Sequence, residues 1–286
     1  MKKNIFILFF IFSSFLFASR IPVDENKIRI TSTFGEFRTD HFHNGLDFGG
    51  YKLEIFPIDD GEVVYYFDAE EDPTKQVFGV GNNIILEHTN NLRSYYYHLE
   101  DGTIQKTFAK VTEQNVIALT GNTGRSGGPH LHLVIEDMKN GRVIDPFDYL
   151  KLPKNANTSP LIHGIYLRTE TRLIQIKDRM PFKYDGELKL FVKAYDLLGN
   201  ITVGLKRVRI FINDTLIRDY DFSYFIKRDN IYLISPDYLF EDVYGVDSHF
   251  YRGGVFTPKR GNYTFKAEVI DFDDNIVTLT RTVNFQ

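Results

Sequence analysis

The chain has 286 residues, a formal charge of −4, 26 Phe and 17 Tyr, and no cysteine. Such a length exceeds one average domain, and the apolar content supports real cores, which excludes global disorder. Lysine and arginine form no stripe or block, which argues against a nucleic-acid partner. The lack of cysteine excludes disulfides, a catalytic thiol and thiolate ligands together, so any metal site must be built from His, Asp and Glu.

Residues 1–18 read as a secretory signal peptide. Lys2 and Lys3 precede an apolar run from Ile5 to Phe17, and Ala18-Ser19 supplies small residues. The run is too short for a comfortable membrane span, so no transmembrane segment is expected apart from this one. Leu16-Phe17-Ala18 is a poor cleavage match, which leaves an uncleaved N-terminal anchor as the alternative. The expected location is exported, periplasmic or attached to the cell envelope.

Residues 27–150 form the first unit. Runs such as "GEVVYYF", "NNIILEH", "RSYYYHL" and "HLHLVIE" are rich in β-branched and aromatic residues and are cut by Gly, Asn and Asp. None carries a helical apolar period, so helices are few. Asp68 to Gly79 reads as a polar loop. Residues 151–160, "KLPKNANTSP", read as a linker. Beyond it, residues 161–286 alternate strand and turn signals, which predicts an Ig-like β-sandwich. "FVKAYDLLGNITV" and "FKAEVIDFDDNIVTL" echo each other as two similar hairpins, and "FYRGGVFTPKRG", Phe250 to Gly261, is a candidate exposed loop.

Eight histidines are present, at 41, 43, 88, 98, 130, 132, 163 and 249. A lone histidine is usually a satisfied polar or core group, and His41, His88, His163 and His249 are read that way. His43 and Asp47 in "HFHNGLDF" lie four apart. In extended chain they would be ~13 Å apart, beyond the reach of one ion with bonds of ~2.0–2.2 Å. The Asn44-Gly45 dipeptide predicts a turn that folds them together. His130 and His132 share one face of a strand, while Leu131 and Leu133 turn to a core. His98 closes an aromatic strand in "YYYHL"; alone it reads as half-buried, and of Tyr96 and Tyr97 one faces the core. "GRSGG" matches a serine-nucleophile elbow, but Pro129 and a strand follow where that motif needs a helix. A carboxylate-pair glycosidase finds no distinguished pair.

Together, "FGEFRTDHFHNGLDF", "GNNIILEHTNNLRSYYYHL" and "GNTGRSGGPHLHLVIE" resemble the M23 peptidases, the lysostaphin/LytM-type zinc endopeptidases of the bacterial cell wall. The resemblance covers about residues 30–150. It implies a mainly β chain, with a LytM-type antiparallel β-sheet groove domain followed by the sandwich. It also implies one Zn2+ on His43, Asp47 and His132, with His98 and His130 as catalytic histidines. Hydrolysis of peptidoglycan cross-links by a zinc-bound water is the implied activity, and stem peptides are the implied partners. A protein activator or inhibitor is a further candidate partner. Relatives that have lost these residues activate cell-wall amidases, so the alternative is a catalytically silent LytM-like binding module. Arg38 would orient either Asp47 or a substrate carboxylate, unless it is simply a solvated charge. The glycines from Gly121 to Gly128 would leave room for a peptide beside the strand.

Overall fold

The computed structural model describes residues 19–71, 79–107, 109–152, 159–229, 231–235, 238–245 and 247–286. The signal segment, most of the 151–160 linker and much of the Asp68 to Gly79 loop lie outside the described residues. The described chain is mainly β. Its helices are the single turns Glu25–Lys27, Pro146–Tyr149 and Phe240–Val243.

The site stands on the strand His130–Asp137. One edge pairs antiparallel with Leu92–Tyr97, which continues to Asn83–His88 and Gly61–Phe67. The other edge is divided. Residues 130–133 pair with Leu46–Gly49, and residues 135–137 pair with Arg142–Ile144. Period-two alternation explains the packing. Leu131, Leu133 and Ile135 are fully buried in a core with Leu46, Phe48 and Tyr96. The opposite face carries His130 and His132, then Val134, which packs into a second core.

That second core is shared between the two halves of the chain. Arg142–Ile144 pairs with the strand Thr215–Arg228, so one sheet runs from the first half into the second. A second sheet is built on Leu188–Leu198, flanked by Leu161–Arg168 and Phe250–Phe256. Leu188, Leu190, Val192 and Ala194 alternate inward to meet Val208, Ile210, Phe265 and Val269 of the large sheet, giving the two layers of a β-sandwich. Phe34 and Phe42 of the first half enter this same core. Phe34 stacks on Phe225 at 4.2 Å, and Phe42 lies 5.2 Å from Phe225 and 5.3 Å from Phe240, measured between ring centroids.

The two echoing segments are indeed hairpins: Leu188–Leu198 with Ile201–Val203, and Gly261–Ile270 with Ile276–Phe285. The expectation of an exposed loop from Phe250 to Gly261 is corrected. Phe250–Phe256 is a strand, with Phe250 and Tyr251 buried. Its glycines mark close packing: a Cβ on Gly253 would lie 2.6 Å from the Leu190 side chain.

Candidate active site

Leu46–Gly49 sets Asp47 directly opposite His132 in the antiparallel register, so the two side chains leave the same face of the sheet. His43 directly follows the short strand His41–Phe42, and Asn44 and Gly45 link it to Leu46–Gly49. The reason for Gly45 is close approach. A Cβ there would lie 2.4 Å from the Leu133 carbonyl oxygen and 2.8 Å from the His132 ring. The chain therefore passes under His132 and delivers His43 beside Asp47.

Three ligand atoms converge. His43 Nε2 is 3.1 Å from Asp47 Oδ1, His132 Nδ1 is 2.8 Å from the same oxygen, and the two nitrogens are 3.0 Å apart. All three residues are buried, and they form the group able to hold a metal ion among the described residues. A tetrahedral zinc with bonds of ~2.0–2.2 Å keeps its ligands roughly 3.3–3.6 Å apart. An outward shift of a few tenths of an ångström therefore admits the ion.

The surrounding hydrogen bonds fit a cation as well. His43 Nδ1 lies 2.7 Å from the Thr33 carbonyl oxygen, and His132 Nε2 lies 3.2 Å from Asn44 Oδ1. Protons assigned to those outer nitrogens leave both inner nitrogens as lone pairs. Burial pushes the His132 imidazole down to about 4, so it is neutral at pH 7. Burial opposes ionisation of Asp47, yet the neighbouring His43 and His132 outweigh it and hold the carboxyl well below its usual range. Two imidazoles and a carboxylate facing one point are a fitting donor set for a divalent ion.

His98 and His130 complete the cluster, their ring centroids 4.8 Å apart. His98 Nδ1 lies 2.9 Å from the Thr123 carbonyl oxygen, and His130 Nδ1 lies 2.7 Å from that of Gly128. Each ring is thereby pinned by its outer nitrogen, with Nε2 left for chemistry. His130 Nε2 is 3.6 Å from Asp47 Oδ1. His98 takes a left-handed backbone conformation, φ 63°, which is unfavourable for a non-glycine residue. Its amide is held by the Val80 carbonyl at 3.0 Å and its ring by Thr123. Burial pushes the His98 imidazole below its ordinary value.

The cluster opens into a groove of about 1230 Å³ whose walls include Arg29, Tyr51, Arg125, Pro129 and Tyr232. Gly127 and Gly128 border it with open space where a Cβ would stand, whereas Gly121 and Gly124 are packed tightly against backbone. Tyr97 stacks on His132 with ring centroids 5.7 Å apart, and Tyr96 is the core member of the pair. Arg38 bonds the Ser32 hydroxyl and Glu36 and stands 3.8 Å from Asp47 Oδ2, so its charge is directed at the ligand carboxylate. Ser126 donates to the Gly128 carbonyl at 2.9 Å. His130 Nδ1, 3.3 Å from Ser126 Oγ, points its proton at that same carbonyl and offers the serine no base. His88 is satisfied by Asp60 and Ser94, and His163 by Tyr166.

Residues 41–146 match the family model described as Peptidase family M23. The chain carries an M23 peptidase domain. A second family model, of no stated function, matches residues 159–286. Among curated relatives, the peptidoglycan DD-endopeptidase ShyA of Vibrio cholerae is 35% identical over 120 residues, covering 40% of this chain and 26% of that protein. The DD-carboxypeptidase/endopeptidase Mpg of Neisseria meningitidis is 29% identical over 124 residues, covering 41% of this chain and 26% of that protein. The chain thus spans about a quarter of the length of these relatives. A solved zinc-containing peptidase from Vibrio cholerae is 30% identical over 47% of this chain and 40% of that one, with a TM-score of 0.37.

Sequence reasoning singled out His43, Asp47, His98, His130 and His132, and all five surround one point of the M23 domain. It took Asn44 for a turn residue and missed its contact with His132. Thr33, Thr123 and Gly128 act through carbonyl oxygens, which leave no trace in residue type. Tyr232, whose hydroxyl meets Asn44 Nδ2 at 3.0 Å, comes from the other half of the chain.

Proposed function

We propose that this chain is a zinc metalloendopeptidase that hydrolyses D,D-peptide cross-links of peptidoglycan. The observation that carries the reading is the meeting of His43, Asp47 and His132 at 2.8–3.1 Å, with two further imidazoles on the same open groove. The activities printed for ShyA and Mpg support the choice of bond. The presence of all five residues favours an enzyme over a silent binding module.

His43 Nε2, His132 Nδ1 and Asp47 Oδ1 would hold the ion. Zinc bound there supplies Lewis acidity, polarising the scissile carbonyl and making water more acidic. The remaining work falls to the chain. His98 and His130 turn their Nε2 atoms to the groove, one to take the proton from the attacking water and return it to the leaving amine. The carbonyls of Thr123 and Gly128 keep those rings from turning. Arg38 holds Asp47 in place. The groove at Gly127 and Gly128 accommodates the stem peptide, and export past the inner membrane brings the enzyme to it. Among the described residues no helix is long and apolar enough to cross a membrane.

Purified peptidoglycan digested with the full chain, followed by mass spectrometry of the muropeptides, tests the proposal. Cross-linked dimers should convert to monomers, and His98→Ala and His132→Ala, both folded, should not do this. Undiminished cleavage by both variants would remove the assignment.

A further inference from the structure

The groove that opens from the histidine cluster is cationic. Asp47 is the single acid among its described lining residues, which also include Arg29, Arg38 and Arg125. Arg38 is committed to Ser32, Glu36 and Asp47. Arg29 and Arg125 are exposed, and among the described residues neither guanidinium is paired with a carboxylate. The carboxyl of Asp40 is lowered first by its bond to His41 and more weakly by the charge of Arg125, but its partner is His41, at 2.6 Å. The sheet sets the two arginines on opposite banks. Arg29 precedes Ile30–Ser32, which pairs with the outer edge of Leu46–Gly49, and its carbonyl receives the Gly49 amide at 2.8 Å. Arg125 stands toward the other edge of the histidine strand. Its amide is held by the Gly79 carbonyl at 2.7 Å, next to the Val80 carbonyl that holds the His98 amide. His130 and His132 lie between the two, because their strand pairs with Leu46–Gly49 on one edge and with Leu92–Tyr97 on the other.

We infer that Arg29 and Arg125 are specificity-determining residues of this groove, each receiving a free carboxylate of the peptide on one side of the bond that is cut. The inference rests on the peptidase reading above and deepens it: the preferred substrate is an acidic cross-link, with ionised carboxylates flanking the scissile amide. A guanidinium is a planar fork of donors that matches a carboxylate through two parallel hydrogen bonds. A carboxamide offers that fork one oxygen and one NH2, so it forfeits both the charge and half of the match. An arginine already paired would first have to break its contact; Arg29 and Arg125 carry no such cost. Their placement also sets a register. A peptide laid across the histidine strand with a carboxylate at each arginine has the amide between them over His98 and His130.

The test uses the full chain with zinc and purified cross-linked muropeptide dimers. These are offered either with free carboxylates or with the carboxylates converted to carboxamides by carbodiimide coupling to ammonia. Wild type should prefer the acidic dimer about fifteenfold in kcat/KM, each arginine contributing about fourfold, near the upper end for exposed ion pairs. Arg29→Gln and Arg125→Gln should each cut that ratio about fourfold, through KM rather than kcat, and the double variant should bring it below about twofold. Arg260→Gln removes an equal charge at an exposed position outside the groove and should leave the ratio unchanged. A wild type indifferent to amidation, an arginine of the pair whose loss leaves the ratio at its wild-type value, a loss shared equally by both dimers, or an equal effect of Arg260→Gln would each overturn the inference while leaving the peptidase reading in place. A wild-type chain that cleaves neither dimer would overturn both.

Discussion

Phe42 offers a sharp test of whether the two halves form one cooperative unit. Its side chain is 1% exposed and sits among Phe222, Phe225, Phe240 and Tyr244, all from the second half. Truncation to alanine removes a ring from a closed aromatic cluster that backbone pairing prevents from collapsing. The cost for such a change is about 3–5 kcal/mol. If all 286 residues unfold together, the unfolding entropy is roughly 0.6 kcal/mol per kelvin at about 2.1 cal/mol/K per residue. The melting temperature of Phe42→Ala should then fall by about 5–8 °C in a single transition. Scanning calorimetry on the metal-free protein reads both quantities, and guanidinium unfolding gives an independent free energy. A shift under about 2 °C, or two transitions of which only one moves, would refute the shared-core argument.

Zinc bound only by the folded chain should raise the melting temperature, by about 2.7 kcal/mol of stability at a hundredfold excess over Kd. Asp47→Ala should abolish the rise, and thermal shifts of both proteins with and without zinc would reveal an indifferent response. The His98 imidazole is lowered by burial, so if His98 rather than His130 takes the proton, the acid limb of kcat/KM should lie below pH 6.5; a limb at or above that value would assign the step away from His98. Asp145 is a buried carboxyl raised to about 7, first by burial. Its folded value exceeds its unfolded one, so its contribution is full below about pH 4 and is lost as pH rises toward 7. Asp145→Asn can keep the helix cap to Phe147. It should therefore gain stability relative to wild type across that window, by up to about 4 kcal/mol; a difference flat from pH 4 to 8 in denaturant titrations would count against this.

Much of the candidate site was legible because its constraints are local. His130 and His132 needed only strand alternation, which also placed Leu131 and Leu133 in the core. Gly45 was visible as a special residue, though its reason turned out to be the His132 ring pressed against it rather than a turn. The Phe250 to Gly261 segment misled because glycines in a bulged strand and in a loop look alike in composition. His98 could not be ranked alone, since nothing in "YYYHL" announces its left-handed backbone or the Thr123 carbonyl that pins its ring.

By itself the sequence determined the β character and the face from which the histidine strand presents its imidazoles, because side-chain alternation is written in residue type; the set of five candidate site residues followed only from the resemblance to a family. Only the tertiary structure decided that Arg142–Ile144 joins Thr215–Arg228, that Phe42 fills a core of the other half, and that Tyr232 reaches Asn44. Backbone hydrogen bonds between strands are the same whatever residues form them. Two side chains 188 positions apart share no local pattern, so their meeting exists only once both halves have folded against each other.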